Sequence, residues 1–284
     1  MHLPLLQLLL LSIACAAYQL PAPGNPRPVI GVLSLPNTYP TVNAHSAFPA
    51  SYVKFLESGG SRVVPIPYDL APANLAALLA QLNGALFTGG DASFTTRSLL
   101  FTPQGALSQY ATTAAAIFNE TVRAAERGET WPLWGTCLGF ELISVLAAGD
   151  SGVLTPGWDS ENYTAVVSWA PEAAASRLWA SAATRAAFAS QRIALNAHTS
   201  GVAPEAFAAA PKLASRFTAL GLSVDRRGRK FVATMEGKTL PICSLARGVE
   251  GRSILPNAAF LLLLPPSHPP RPPSRARRCH AVAP

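Results

Sequence analysis

Apolar residues in this chain fall into short unbroken runs, separated by longer stretches in which they return every three or four positions. The runs lie at 29–33 (Val-Ile-Gly-Val-Leu), 62–67, 85–87 and 133–134. Runs this short, without polar alternation, are what strands buried on both faces of a parallel sheet require. Helical spacing fills the intervals: 51–57, stopped by Gly59-Gly60; 75–82; and about 104–127, with Leu107, Tyr110, Ala114, Ile117 and Phe118 on one face and Gly128 closing it. Strands alternating with helices in this way predict an α/β fold, a mostly parallel doubly wound sheet in three α/β/α layers. Beyond Gly152 the pattern is less regular. It predicts strands at 165–169, 192–196 and 231–235, a helix at 182–190, and turns at 225–230 and 236–238.

Both ends differ from the middle. An apolar run from Leu3 to Ala17 ends in small residues and resembles a secretory signal peptide over 1–17, although no basic residue opens it and it is too short to span a bilayer. Two sequons, Asn119-Glu120-Thr121 and Asn162-Tyr163-Thr164, fit a lumenal or extracellular protein. One domain then occupies 18–242, a length at which a single sizeable core is ordinary. From Cys243 the composition shifts towards proline and arginine, and 243–284 is expected to be an unfolded or aberrant tail that leaves a sheet edge unpaired. The tail also accounts for most of the charge. Six of its residues are arginine and only Glu250 is acidic, so of the chain's net +7 only +2 belongs to residues 1–242. A nucleic-acid partner therefore has little support, and no segment is expected to span a membrane. No pair of cysteines or histidines has metal-ligand spacing, so neither a metal nor a cofactor is expected.

Candidate chemistry centres on 131–141, Trp-Pro-Leu-Trp-Gly-Thr-Cys-Leu-Gly-Phe-Glu. A strand ends at Gly135, a helix starts at Leu138, and Cys137 stands at the turn between them. A sharp strand-to-helix elbow exposes a nucleophile, and the free amides and dipole of the helix start favour a thiolate. Read alone, the residue is also compatible with a buried structural cysteine. Gly89-Gly90 ends the third strand, so it and Cys137 both fall at strand carboxyl ends, where open α/β sheets bind ligands. The glycine pair is either a plain tight turn or a place where backbone amides approach a developing oxyanion. His198 follows another strand. His45 lies in a loop.

The stretch Trp134-Gly135-Thr136-Cys137-Leu138-Gly139-Phe140-Glu141, with Ser51-Tyr52-Val53-Lys54-Phe55-Leu56-Glu57-Ser58-Gly59, Phe87-Thr88-Gly89-Gly90 and Ala233-Thr234-Met235-Glu236-Gly237, resembles gamma-glutamyl hydrolase, of the class I glutamine amidotransferase-like proteins. The resemblance implies hydrolysis of gamma-linked glutamate from folate polyglutamates, in vacuoles, lysosomes or outside the cell, and leaves a homodimer open. It implies Cys137 as nucleophile, Leu138 with Gly89 and Gly90 as oxyanion hole, and His198 and Glu141 as substrate contacts. One departure stands out. Family members carry Gln-Trp-His-Pro-Glu on the strand after the Met-Glu-Gly turn, supplying the catalytic histidine, whereas here Pro241-Ile242 continues as Cys243-Ser244-Leu245-Ala246-Arg247. His268 precedes a proline but lies in the tail. Loss of a general base typically costs about 10²- to 10⁴-fold. Three other readings therefore stay open: a binding protein that keeps the pocket without turnover, an amidotransferase subunit that passes ammonia to a synthase, and an interaction protein using the basic tail.

Overall fold

The computed structural model describes residues 27–37, 43–94 and 106–246. The leader-like run at 1–17 and everything from Arg247 onward lie outside the described residues. In chain order the main elements are β1 (Val29–Leu33), α1 (Ala50–Ser58), β2 (Arg62–Ile66), α2 (Pro72–Leu79), β3 (Gly84–Phe87), α3 (Gln109–Glu126), β4 (Leu133–Thr136) and α4 (Leu138–Ala148). After these come β5 (Ser168–Trp169), α5 (Ala182–Ser190), α6 (Pro204–Ala209), α7 (Pro211–Arg216), β6 (Phe217–Val224), β7 (Lys230–Gly237) and β8 (Ile242–Leu245). Among the described residues no helix is long and apolar enough to cross a membrane.

The strands form an eight-stranded sheet ordered β2-β1-β3-β4-β8-β7-β6-β5. From β2 to β8 neighbours run parallel, and from β8 to β5 they run antiparallel. Alternate side chains divide between two apolar layers, as the pleat dictates. Leu33, Ala85, Phe87, Leu133 and Ile242 face a core shared with α2, α3 and α4, whereas Ile30, Val32, Leu86, Trp134, Cys243 and Leu245 face one shared with α1 and α5. Helices on both faces make the three-layer α/β/α architecture that the hydrophobic pattern predicts.

The domain boundary needs correction. The composition change places the end of the fold at Ile242, but the chain enters the sheet there. β8 pairs parallel with β4 and antiparallel with β7, so it is an interior strand, and all four of its residues are buried. No edge is left open where the change of composition begins. The sequence Ile-Cys-Ser-Leu is a competent buried strand in its own right, and four residues are too few for a composition shift to register. A buried anchor fixes the turn before it: Arg177 donates from Nε to Glu236 at 2.7 Å, and from its terminal nitrogen to the carbonyls of Gly237 and Leu240, each at 2.9 Å. Ser176 Oγ donates to the other Glu236 oxygen at 2.6 Å.

Two further differences have local causes. The run at 165–169 divides into Tyr163–Ala165, paired with Ala194–Asn196, and β5, paired with β6. β6 itself escapes the sequence pattern because its register shifts around Gly221, which spoils its alternation. A side chain at Gly221 would stand 2.7 Å from Val167 and 3.1 Å from Thr234.

Candidate active site

Cys137 joins β4 to α4 with φ 55° and ψ −111°, a left-handed backbone that a residue bearing Cβ rarely adopts. The glycines on either side make the turn sterically feasible. A Cβ on Gly135 would lie 2.6 Å from the Gly139 carbonyl and 2.5 Å from Ile143, and one on Gly139 would collide with the Phe87 carbonyl. Absence of both side chains lets the helix start settle on the ends of β3 and β4. The elbow is also held from the interior strand, since the Cys137 amide donates to the Leu245 carbonyl at 2.8 Å. Its Sγ lies 3.8 Å from the Ala197 carbonyl, a long sulfur contact that turns the thiol towards the segment bearing His198.

Gly89 lies beside this thiol, a Cβ placed there standing 3.0 Å from Cys137 Cβ. Its amide donates to Tyr52 Oη at 2.7 Å, so in this structure that candidate oxyanion donor already has an acceptor. Gly90 takes φ 139°, a conformation suited to glycine, with Leu35 packed where a Cβ would project. Leu138 is the first residue of α4, and its amide has no acceptor within the helix.

Glu141 follows one turn later, its amide donating to the Cys137 carbonyl at 3.1 Å. It is half-buried, and loss of solvent pushes its carboxyl up to about 7. His198 is buried, with its ring edge-on to Phe231 at 4.7 Å between centroids. Nδ1 lies 2.8 Å from the Ser200 carbonyl, which requires the proton on Nδ1 and leaves Nε2 as a buried lone pair with no partner among the described residues. Burial lowers its pKa to about 4, against smaller opposing effects from the Ser200 carbonyl and Asp225. The ring is therefore neutral at pH 7.

Two groups at the site have no signal of their own in the sequence. Tyr52 and Tyr110 both read there as apolar helix-face residues, and both are buried. Among the described residues the Tyr110 hydroxyl has no hydrogen-bond partner, and burial followed by the nearby Tyr52, Cys137 and Glu141 holds its pKa far above the phenolic range. The only available hint is a tyrosine inside an otherwise apolar stripe, since a buried phenol normally finds a partner. Cys243, by contrast, faces the core shared with α1 and α5, and burial raises its thiol pKa well above the usual value. Unlike Cys137, it has neither partial exposure nor a place at a helix start. His45 sits on an exposed loop, 2.7 Å from Asp69.

A strained thiol elbow at the carboxyl end of a parallel strand, with a glycine turn beside it, makes Cys137 the candidate nucleophile of an α/β protein. Comparison with known proteins agrees: the peptidase C26 family matches residues 28–154. Gamma-glutamyl hydrolase B of Dictyostelium discoideum is 33% identical over 225 residues, covering 78% of this chain and 62% of that protein. Gamma-glutamyl hydrolase of Mus musculus is 31% identical over 230 residues, with 77% and 66% covered, and that of Homo sapiens is 28% identical over 246 residues, with 82% and 73% covered. The chain is similar to these gamma-glutamyl hydrolases over 77% to 82% of its own length. It spans 62% to 66% of the length of the first two relatives.

Proposed function

We propose that this chain hydrolyses gamma-glutamyl amide bonds through Cys137, with folate polyglutamates or related small gamma-glutamyl compounds as substrates. The observation that carries the reading is the backbone of Cys137, held at φ 55° between two glycines that admit no side chain and facing the Gly89 turn. Strain of this kind, about 1–3 kcal/mol, persists only where the surroundings enforce it, and it clusters at reactive residues. In this reading Sγ attacks the gamma-carbonyl carbon and the amides of Leu138 and Gly90 receive the developing oxyanion. The Gly89 amide joins them when the Tyr52 hydroxyl moves aside. Glu141 and His198 line the substrate, and water resolves the thioester. The leader-like sequence and the two sequons support a vacuolar, lysosomal or extracellular setting.

Release of free glutamate from a gamma-glutamyl peptide tests the proposal. Wild-type chain should release it, and Cys137→Ala should release none above background; equal release by both would remove the assignment. One observation favours a second reading. On the strand after the Met-Glu-Gly stretch, where the resembling family carries its histidine, this chain has none, and the next histidine in the sequence is His268. A ligand-binding protein without turnover would bind a gamma-glutamyl ligand and release no glutamate.

A further inference from the structure

The turn between β6 and β7 reads Asp225-Arg226-Arg227-Gly228-Arg229-Lys230, and Arg192 precedes the strand at Ala194–Asn196. Their arginines gather around two aromatic rings. Arg192 and Arg226 each hold a guanidinium over Tyr163, 5.0 and 4.8 Å from the ring centroid, and Arg229 lies over Trp158 at 4.6 Å. The arginines differ in how far their nitrogens are committed. Arg226 is spent on the fold: Nη1 donates to Asp159 at 2.9 Å, and Nη2 to the carbonyls of Glu161 and Asn162 at 2.8 and 3.0 Å. Arg229 is spent likewise, donating from Nε to Asp225 at 3.0 Å and from Nη2 to the Gly157 carbonyl. Arg192 donates from Nε to the Thr164 carbonyl at 3.1 Å, and among the described residues it has no acidic partner. Arg227 comes no nearer to an acid than 3.7 Å, and that acid is the Asp159 already bonded to Arg226. Both Arg192 and Arg227 are exposed. Two arginines and two rings thus build a fixed shelf, on which two further guanidinium forks keep spare donors.

A short path joins this shelf to the thiol. Tyr163 and Asn196 are partners in an antiparallel pair, and Asn196 Nδ2 donates to the Tyr163 carbonyl at 3.2 Å. Ala197 comes next in the chain, and its carbonyl is the one 3.8 Å from Cys137 Sγ. One residue step and one strand spacing therefore separate Ala197 from Tyr163, about 9 Å of backbone. The strand at 194–196 runs towards the thiol, so Tyr163 stands at the end of its own strand nearest to it. A second path runs through side chains. Trp158, under Arg229, packs edge-on to Phe231 at 5.7 Å, and Phe231 packs edge-on to His198 at 4.7 Å.

We propose that Arg192 and Arg227, set on the Tyr163 shelf, bind carboxylates of a glutamyl chain whose reacting bond lies at Cys137, so that longer gamma-linked substrates are preferred to short ones. The inference rests on the gamma-glutamyl hydrolase reading and assigns the residues that would sense substrate length. A gamma-linked glutamate chain carries one free carboxylate on every unit, which makes it a regular polyanion. Planar guanidinium forks match carboxylates in shape as well as in charge. Rings and backbone carbonyls already hold the stems in place, so less side-chain freedom is lost when the carboxylates arrive.

The test sets a gamma-linked glutamate hexamer beside a gamma-glutamyl dipeptide, which shares the reacting bond but is too short to reach the shelf. We expect wild-type chain to have the lower KM on the hexamer, by a margin that shrinks as ionic strength rises from about 0.05 to about 0.5 M. Replacing both residues, Arg192→Gln with Arg227→Gln, should raise KM on the hexamer about tenfold, while kcat and the dipeptide KM change less than about twofold. Arg192→Lys, which keeps the charge, should retain part of the preference. Equal changes on both substrates, no change on either, or a loss in Arg192→Lys as large as in Arg192→Gln would overturn the inference. Calorimetric binding of the hexamer to the Cys137→Ala chain keeps the two readings apart. A Kd that depends on Arg192 and Arg227, with no glutamate released by wild type, would remove the hydrolase reading and leave the shelf. Glutamate release with a Kd unmoved by both substitutions would do the reverse. Poly-L-aspartate bound as tightly as the hexamer would show a general attraction for polyanions and overturn the glutamyl assignment.

Discussion

At the residue scale, the site holds two titratable groups whose burial moves them in opposite directions. Glu141 is raised to about 7 in the fold against a reference of 4.5, so its contribution to stability is fully present below about pH 4.5 and is lost as pH rises through 7. His198 is lowered to about 4 against 6.5, so stability is present above about pH 6.5 and falls away as pH drops towards 4. Two variants should separate these effects. Measured by thermal unfolding, Glu141→Gln should gain Tm relative to wild type as pH is raised from 5 to 8. His198→Asn should gain relative to wild type as pH is lowered from 7 to 4.5. Parallel curves for all three proteins would contradict the burial argument. The same comparison shows what one letter of sequence conveys. Cys137 was legible because the flanking glycines form a pattern with a steric meaning. The rotamers of Tyr52 and Tyr110 were not, because only the packed helices decide where a phenol ends.

At the element scale, the parallel half of the sheet was readable and the antiparallel half was read only in part. β1, β3 and β4 are short apolar runs bounded by glycine, proline or polar turns, and the buried-strand signature finds each of them; β2 is legible as a strand too, but it begins with Arg62, stands at the sheet edge and buries only Ile66. The helix at Ala182–Ser190 was also legible, with Ser181 accepting from the Thr184 amide as its cap. β6 was not, because its shift at Gly221 breaks the period-two pattern, and α6 and α7 are too short for a helical period to show. The sequence places a turn at Glu236-Gly237-Lys238, but Glu236 and Gly237 are strand residues and the turn falls after them. The elbow itself supplies a sharper test. Gly139→Ala places a methyl against the Phe87 carbonyl, so either β3 or α4 must shift. Overpacking of this kind costs about 1–3 kcal/mol. We expect a Tm lowered by several degrees together with loss of glutamate release, whereas the same substitution at Gly128, where a Cβ meets nothing within 4 Å but φ is 72°, should change stability alone.

At the scale of the whole molecule, β8 is the seam between the parallel and antiparallel halves. Leu245→Asp would place a charge in the fully buried layer beneath α1 and α5, where an unpaired carboxylate is costly. It should prevent recovery of folded protein, as judged by cooperative thermal unfolding, whereas Leu245→Ile should be tolerated. The seam also has a consequence in time. β2-β1-β3-β4 and β7-β6-β5 have no direct pairing with each other, and the strand that joins them is the last of the eight to be made. During synthesis from the N-terminus, a chain that has emerged only as far as Gly237 carries two unfinished half-sheets, each exposing the edge that β8 will fill. The ribosome therefore has to deliver the final segment before the halves can close. The same closing event supplies the carbonyl that supports the Cys137 amide, so the Cys137 elbow is completed only when the whole sheet is, and a chain that ends before β8 carries the thiol without the support for its turn.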